Sequence, residues 1–262
     1  MGSATTQALA TTVAELTAST VDDLSVSREL FAAAREISDS TQLSGALSLW
    51  GAPAAARTRV VETVFAGFGE TSRKLLASAV SERWSSTSDL ISGIEELAIR
   101  AASIASPGTD VEGELFQVVR MVAANPDLEL ALGNRLASAE AKGAVVEKLL
   151  GGRTSEATTL ITSQLVQQPR ERRVRFLLTR ATELVADQRG STVATVRVAA
   201  PLDEQQRGRL AEALSERYGS TVTVNVIVDP AVLGGVRVEI GDHVIDATVS
   251  SRINDLRQRL AG

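Results

Sequence analysis

The sequence holds no cysteine, a single histidine and very few aromatic residues. Without cysteine there is no disulfide framework, no iron–sulfur cluster and no thiolate zinc site. One histidine, His243, excludes a multi-histidine metal centre. Aromatics make up only 3% of the chain, leaving little material for stacking nucleobases. The net charge is −5, so a broad phosphate-binding surface is not expected either. No apolar run approaches the ~20 residues that cross a bilayer, and "MGSATT" lacks the basic and apolar regions of a signal peptide. Gly2 and Thr6 fit the myristoylation pattern, but small residues at a start match it commonly. A soluble, intracellular protein is expected.

What the chain does contain is alanine, aliphatic side chains and a repeat. "ELFAAAREISDSTQLSGAL" from Glu29 recurs as "ELFQVVRMVAANPDLELAL" from Glu114, an offset of 85 residues. Over the 52 positions from residue 29 to 80 there are 16 identities. Four are alanine pairs, cheap in such a chain, and twelve are not. Apolar doublets carry the match: Val60, Val61, Val64, Phe65 against Val145, Val146, Leu149, Leu150, then Leu75, Leu76, Val80 against Leu160, Ile161, Leu165. Such i, i+1, i+4, i+5 spacing draws one stripe on a helix. Two all-α bundles are expected.

Breakers separate the helices. Ser27 is placed to cap one helix; Pro53, Gly67–Gly69, Asn125-Pro126 and Gly151-Gly152 end or start others. The helix around Leu90, Ile94, Leu97 and Ala101 lies between the copies, closing one bundle and opening the next, with "ASPGTD" as linker. After Gly190 the period falls to two. Val193–Val198, Val222–Val228, Val236–Ile240 and a short run from His243 read as strands. Asp203–Tyr218 reads as a helix stopped by Gly219, Gly241-Asp242 as a hairpin turn, and Ile253, Leu256 and Leu260 as a last helix. The expected class is α+β: bundle copies over 1–104 and 105–190, the second sharing the helix near 89–104, then a β-α-β-β-β-α domain over 191–262.

Candidate chemistry is sparse. "LLGGRTSEATT" has adjacent glycines, Arg153 where a phosphate loop needs lysine, and a helix before it, so it reads as a turn. His243 has no nucleophile or acid partner in the pattern around it, and Glu239, Asp242 and Asp246 sit by a hairpin where carboxylates face water. No catalytic, cofactor or metal residue is expected. Arg170, Arg172, Arg173, Arg175 and Arg180 crowd eleven positions, either a solvated helix start or a docking face for an acidic partner. Gly234 and Gly235 precede a strand, not a helix start, so they serve the backbone and not a phosphate.

The stretch "VTVNVIVDPAVLGGVRVEIG", with Asp229, Gly234 and Gly235 inside it, resembles the signature of the delta subunit of F-type ATP synthases. "STVATVRVAAPLDEQQ", "GDHVIDATVSSRINDL" and "ASAEAKGAVVEKLLGG" resemble that family too, so the likeness covers about 89–262. Residues 1–88 depart from it as a second, more divergent copy of the helical domain. The resemblance implies a non-catalytic stator part with no cofactor. It would bind alpha-subunit amino-terminal helices through the helical domain and the peripheral-stalk b subunits through the carboxy-terminal domain. It would touch the bacterial membrane only through the complex, on the cytoplasmic face, and would bind no nucleic acid. Leu75, Leu76, Val80, Leu160, Ile161, Leu165, Arg170, Arg172 and Arg173 are then the candidate docking residues. The rival reading is a helical adaptor with an RNA-binding α/β module, which calls for a basic groove or exposed stacking aromatics, and the module has only Tyr218.

Overall fold

Capping residues punctuate a long series of helices in the computed structural model, which describes residues 2–49, 51–134, 136–232, 234–241, 243–249, 251 and 253. The first six are α1 (Ser3–Ala18), α2 (Ser25–Asp39), α3 (Thr41–Ser48), α4 (Ala54–Val64), α5 (Glu70–Ser81) and α6 (Thr87–Ile104). Then come α7 (Val111–Ala124), α8 (Pro126–Gly133), α9 (Ala139–Leu150), α10 (Glu156–Gln167) and α11 (Val174–Gln188). The order and lengths of α2–α5 return in α7–α10. Side chains of Ser40, Ser86, Asp110, Ser138 and Ser155 each accept a backbone N–H in the first turn of α3, α6, α7, α9 and α10. Ser27 does not cap α2. That helix starts earlier, Asp23 takes the Ser25 N–H at 2.7 Å, and Ser27 is buried inside.

The helices share one continuous aliphatic core running from Leu16 to Val185. Its spine is α6, whose residues from Leu90 to Ser103 are buried almost all round, with Ser92 only partly covered. Helix α6 is enclosed because it packs closely along α2 and against α1, α3, α5 and α10. Each aliphatic side chain sealed there contributes about 1.5–3 kcal/mol. No helix among the described residues is long and apolar enough to cross a membrane.

The chain divides into two compact units, Met1–Val185 and Ala186–Gly262. The second holds β1 (Ser191–Val198), α12 (Glu204–Tyr218), β2 (Thr221–Val228), β3 (Val236–Ile240) and β4 (His243–Asp246), so the class is α+β. The sheet order is β2-β1-β3-β4, with β1 and β2 parallel and the other pairs antiparallel. A parallel pair needs a crossover, and α12 supplies it. Asp203 and Gln206 form a reciprocal capping box at its start, and left-handed Gly219 ends it. Alternation sends Ala194, Val196, Val198, Val222, Val224, Val238 and Ile240 into the core beside Leu214. The helix expected over Ile253, Leu256 and Leu260 lies, apart from Ile253, outside the described residues, as does Asp242 of the hairpin.

Candidate functional site

The six aliphatic docking candidates are core residues. On α5, Leu75, Leu76 and Val80 are at most 1% exposed; on α10, Leu160, Ile161 and Leu165 are at most 7% exposed. This corrects the expectation that they face a partner. Helix α5 is packed by α1, α2, α4 and α6, and α10 by α6, α7, α8 and α9, so the bundle itself consumes both stripes. An apolar stripe reports burial without saying what buries it.

Arg170 and Arg172 of the arginine cluster are likewise turned inward. Arg170 and Arg172 both grip Glu95 of α6, Arg172 at 2.9 Å, and the Glu95 side chain is 9% exposed. Next to it Glu96 takes Arg100 at 2.8 Å and Arg180 at 3.4 Å. Arg175 bridges to Glu129 at 2.9 Å, and Arg173 stands exposed. The expectation that Arg170 and Arg172 await an acidic partner is therefore corrected: two carboxylates within the same unit already hold them. Each carboxylate has two arginine partners, so the loss of one arginine leaves neither carboxylate unpaired. Burial pulls the Arg170 guanidinium below its usual pKa, with neighbouring Arg172 adding to the effect and Glu95 opposing it. Glu95 and Glu96 escaped the sequence reading, although "ISGIEELAIR" sets two carboxylates inside an apolar helix, which demands partners.

The turn before α11 is unusual in its backbone. Arg170 has φ +46° and Glu171 φ +67°, the only non-glycine residues in the left-handed region among those described. Each costs on the order of 1 kcal/mol or more, so the surrounding ion pairs must hold the turn in place.

In the second unit, Asp229, Gly234 and Gly235 shape the chain between β2 and β3. The Asp229 side chain accepts the Ala231 N–H at 2.9 Å, and its own N–H donates to Val198 at 2.8 Å. Gly234 and Gly235 have φ +104° and +80°. A Cβ on Gly235 would lie 2.3 Å from the Ala247 carbonyl oxygen and 2.9 Å from Thr248 Cα. The pair thus lets the segment after β4 fold back over the start of β3, where Val249 donates to Gly234 at 3.1 Å. No phosphate is involved in that explanation.

Titratable groups here are exposed or engaged with neighbours. His243 stands exposed at the start of β4, its ring 6.3 Å from that of Tyr218. Glu239 meets Arg237 at 3.2 Å and Arg197 at 3.7 Å on the outward sheet face. Hydrogen bonds from the Thr248 hydroxyl and N–H hold the Asp246 carboxyl below its ordinary pKa. No group of three or more acidic or histidine side chains that could hold a metal occurs among the described residues.

Comparison with known proteins agrees on one assignment. The family model described as ATP synthase delta (OSCP) subunit matches residues 99–260. An ATP synthase subunit delta from Leifsonia xyli subsp. xyli is 43% identical over 264 residues, covering 100% of both chains. That of Streptomyces avermitilis is 40% identical, covering 74% of this chain and 72% of its own. That of Nocardia farcinica is 37% identical over 89% of this chain and 88% of its own. The Leifsonia match extends through the amino-terminal helices that the family model leaves out, so the whole chain is accounted for: it belongs to the ATP synthase delta (OSCP) subunit family.

Proposed function

We propose that this chain ties the catalytic head of an F-type ATP synthase to its peripheral stalk through two kinds of partner. Alpha-subunit amino-terminal helices dock on the helical unit, and stalk b subunits dock on the carboxy-terminal unit. As a member of the delta family the chain is a non-catalytic, structural subunit with a stator role, associated with the ATP synthase complex. In a bacterial cell its place is the cytoplasmic face of the membrane, reached through the complex. The RNA-binding reading has nothing left to explain.

The observation that carries the docking proposal is the recurrence of α2–α5 as α7–α10 around α6. It supports a division into bundle copies 1–104 and 105–190, followed by 191–262, with α6 common to both bundles. Two copies give two helix-lined surfaces, and tethered sites raise avidity through effective concentration even when each is weak. Since Leu75, Leu76, Val80, Leu160, Ile161 and Leu165 are occupied within the core, docking falls to the outer faces of those helices and to exposed Arg173. Cross-linking of the intact complex followed by mass spectrometry tests this. Links from alpha amino termini to both copies, and from b to residues beyond 190, are expected. Alpha links confined to one copy would leave the other as a spacer.

A further inference from the structure

We propose that the free edge of β2 takes an extended segment of the peripheral-stalk b subunit as an added strand. The inference rests on the docking of b on the carboxy-terminal unit proposed above, and gives that contact its form.

Strand β2 is outermost in the order β2-β1-β3-β4. Val198 and Val228 lie in register, and the Asp229 N–H donates to the Val198 carbonyl at 2.8 Å. Successive residues of a strand turn their backbone groups to opposite sides, so the odd-numbered residues of β2 face β1. The even-numbered ones face outward. Val222 agrees, since its N–H donates to Ser215 Oγ of α12 at 2.9 Å. Val224, Val226 and Val228 follow, with no strand beyond them among the described residues of this unit. Their N–H and C=O groups stand two residues apart, the spacing that an incoming strand matches.

Two further features mark this edge. Edge strands are usually blunted by lysine, proline or a bulge. "TVTVNVIV" carries no charge, proline or glycine, and its register with β1 is unbroken from Thr221 to Val228. The core is also unfinished alongside it. Val196 and Val198 of β1 are 0% and 3% exposed, while their register partners Val226 and Val228 are half-buried and 38% exposed. A strand laid beside β2 covers both valines, and apolar side chains at alternate positions suit that face.

Size selects the occupant. About six hydrogen bonds and a few side chains fall well short of the roughly 1,200–2,000 Å² that holds two free proteins together. Pairing of β2 edges would therefore not hold a second copy of this chain. A segment of a chain already bound to the same unit is held, because tethering raises its effective concentration. The stalk b subunit is that chain.

Hydrogen–deuterium exchange tests this by comparing the full-length protein alone with the same protein in the purified ATP synthase complex. The amides of Val224, Val226 and Val228 are expected to exchange at least about tenfold more slowly in the complex. Val226→Pro removes one outward donor and none of the bonds to β1, a change that edge strands accept. It is expected to return exchange at Val224 and Val228 toward that of the free protein. Should Val226→Pro disturb the fold, Val228→Lys serves instead, placing a charge at an already exposed edge position. Thr221→Cys, the sole thiol in the chain, carries a photo-cross-linker and is expected to capture b. Unchanged exchange at the three amides, with b cross-linked elsewhere beyond residue 190, overturns the added strand and leaves the docking of b standing. Absence of any b link beyond residue 190 overturns both. Capture of a different subunit from Thr221→Cys overturns the choice of occupant.

Discussion

Glu29 and Glu114, 85 positions apart, hold the same point in two successive sets of helices. The Glu29 carboxylate accepts the Gly69 N–H at 3.1 and 3.0 Å; that of Glu114 accepts the Ser155 N–H at 3.1 and 3.0 Å. Gly69 and Ser155 are the N-cap residues of α5 and α10. Each glutamate, projecting from α2 or α7, thus fixes where the fourth helix of its set, α5 or α10, begins. Glu114 goes further and also accepts from the hydroxyls of Ser155 and Thr158.

Removing these carboxylates should therefore have unequal effects. Glu114→Ala is expected to cost about 1.5–3 kcal/mol, since several charge-assisted hydrogen bonds go at once. Glu29→Ala should cost less, about 1 kcal/mol, because only one backbone N–H is orphaned near the surface. Urea denaturation followed by circular dichroism checks it. Equal losses would mean that the extra hydroxyl bonds to Glu114 contribute nothing.

The first set can be given the second set's cap. Gly69 has φ −58° and ψ 156°, Ser155 φ −61° and ψ 158°, so serine suits the backbone as it stands. A Cβ at Gly69 would lie 3.4 Å from the nearest atom, a Glu29 carboxylate oxygen, which is ordinary contact. Gly69→Ser should stabilise by a few tenths to about 0.5 kcal/mol. A lowered unfolding midpoint would show that the hydroxyl competes with Glu29 for the same N–H.

Glu114 also sets a pH dependence. Burial alone would raise its pKa, but hydrogen bonds from Ser155 and Thr158 outweigh it and hold the carboxyl below the ordinary glutamate value of 4.5. A depressed folded pKa contributes stability that is complete above the unfolded value and is lost as pH falls through the folded one. The stability gap between the parent and Glu114→Gln should thus be full at pH 7 and shrink steadily below about pH 4.5. A gap unchanged down to pH 3 would assign the effect to shape instead of charge.

Gly235→Val should destabilise the carboxy-terminal unit by at least about 1 kcal/mol, from positive φ and from collision with the Ala247 carbonyl. Loss of exchange protection in β3 and β4 of the full-length protein is the readout. Protection equal to the parent's would show that the segment after β4 can move aside freely.

Gly93 is a tighter site still. A Cβ there would lie 2.2 Å from the Trp84 ring, whose Nε1 donates to the Ala79 carbonyl at 2.7 Å. Gly93→Ala should cost about 1–3 kcal/mol by overpacking and change the Trp84 fluorescence. An unaltered emission spectrum with full stability would contradict the packing described.

Periodicity made much of this legible. The strand alternation from Val193 to Ile240 and the doublets of α5 and α10 announced which side of each element is covered. It could not announce by what. Leu75 and Leu160 look identical as docking residues and as core until neighbouring helices are placed around them. The arginines before α11 were visible as a cluster, but their partners Glu95 and Glu96 lie some 75 residues earlier, beyond any local pattern. Ser27 failed as a cap for a local reason: α2 begins at Ser25, so Ser27 already lies inside the helix. The glycine pair at 234–235 was readable because its demand is local.

Because α6 is enclosed on nearly every side, its length works like the shank of a crankshaft. One residue added within it would turn everything downstream by about 100° and push it along by about 1.5 Å. No face of α6 is blank enough to absorb that turn, since Leu90, Ile91, Glu95, Glu96, Ile99 and Arg100, which point all round the helix, are buried. The helices before and after it are thereby locked in phase. Exchange of one aliphatic side chain for another along this shank trades only volume, but insertion or deletion breaks the timing between the two halves of the helical unit.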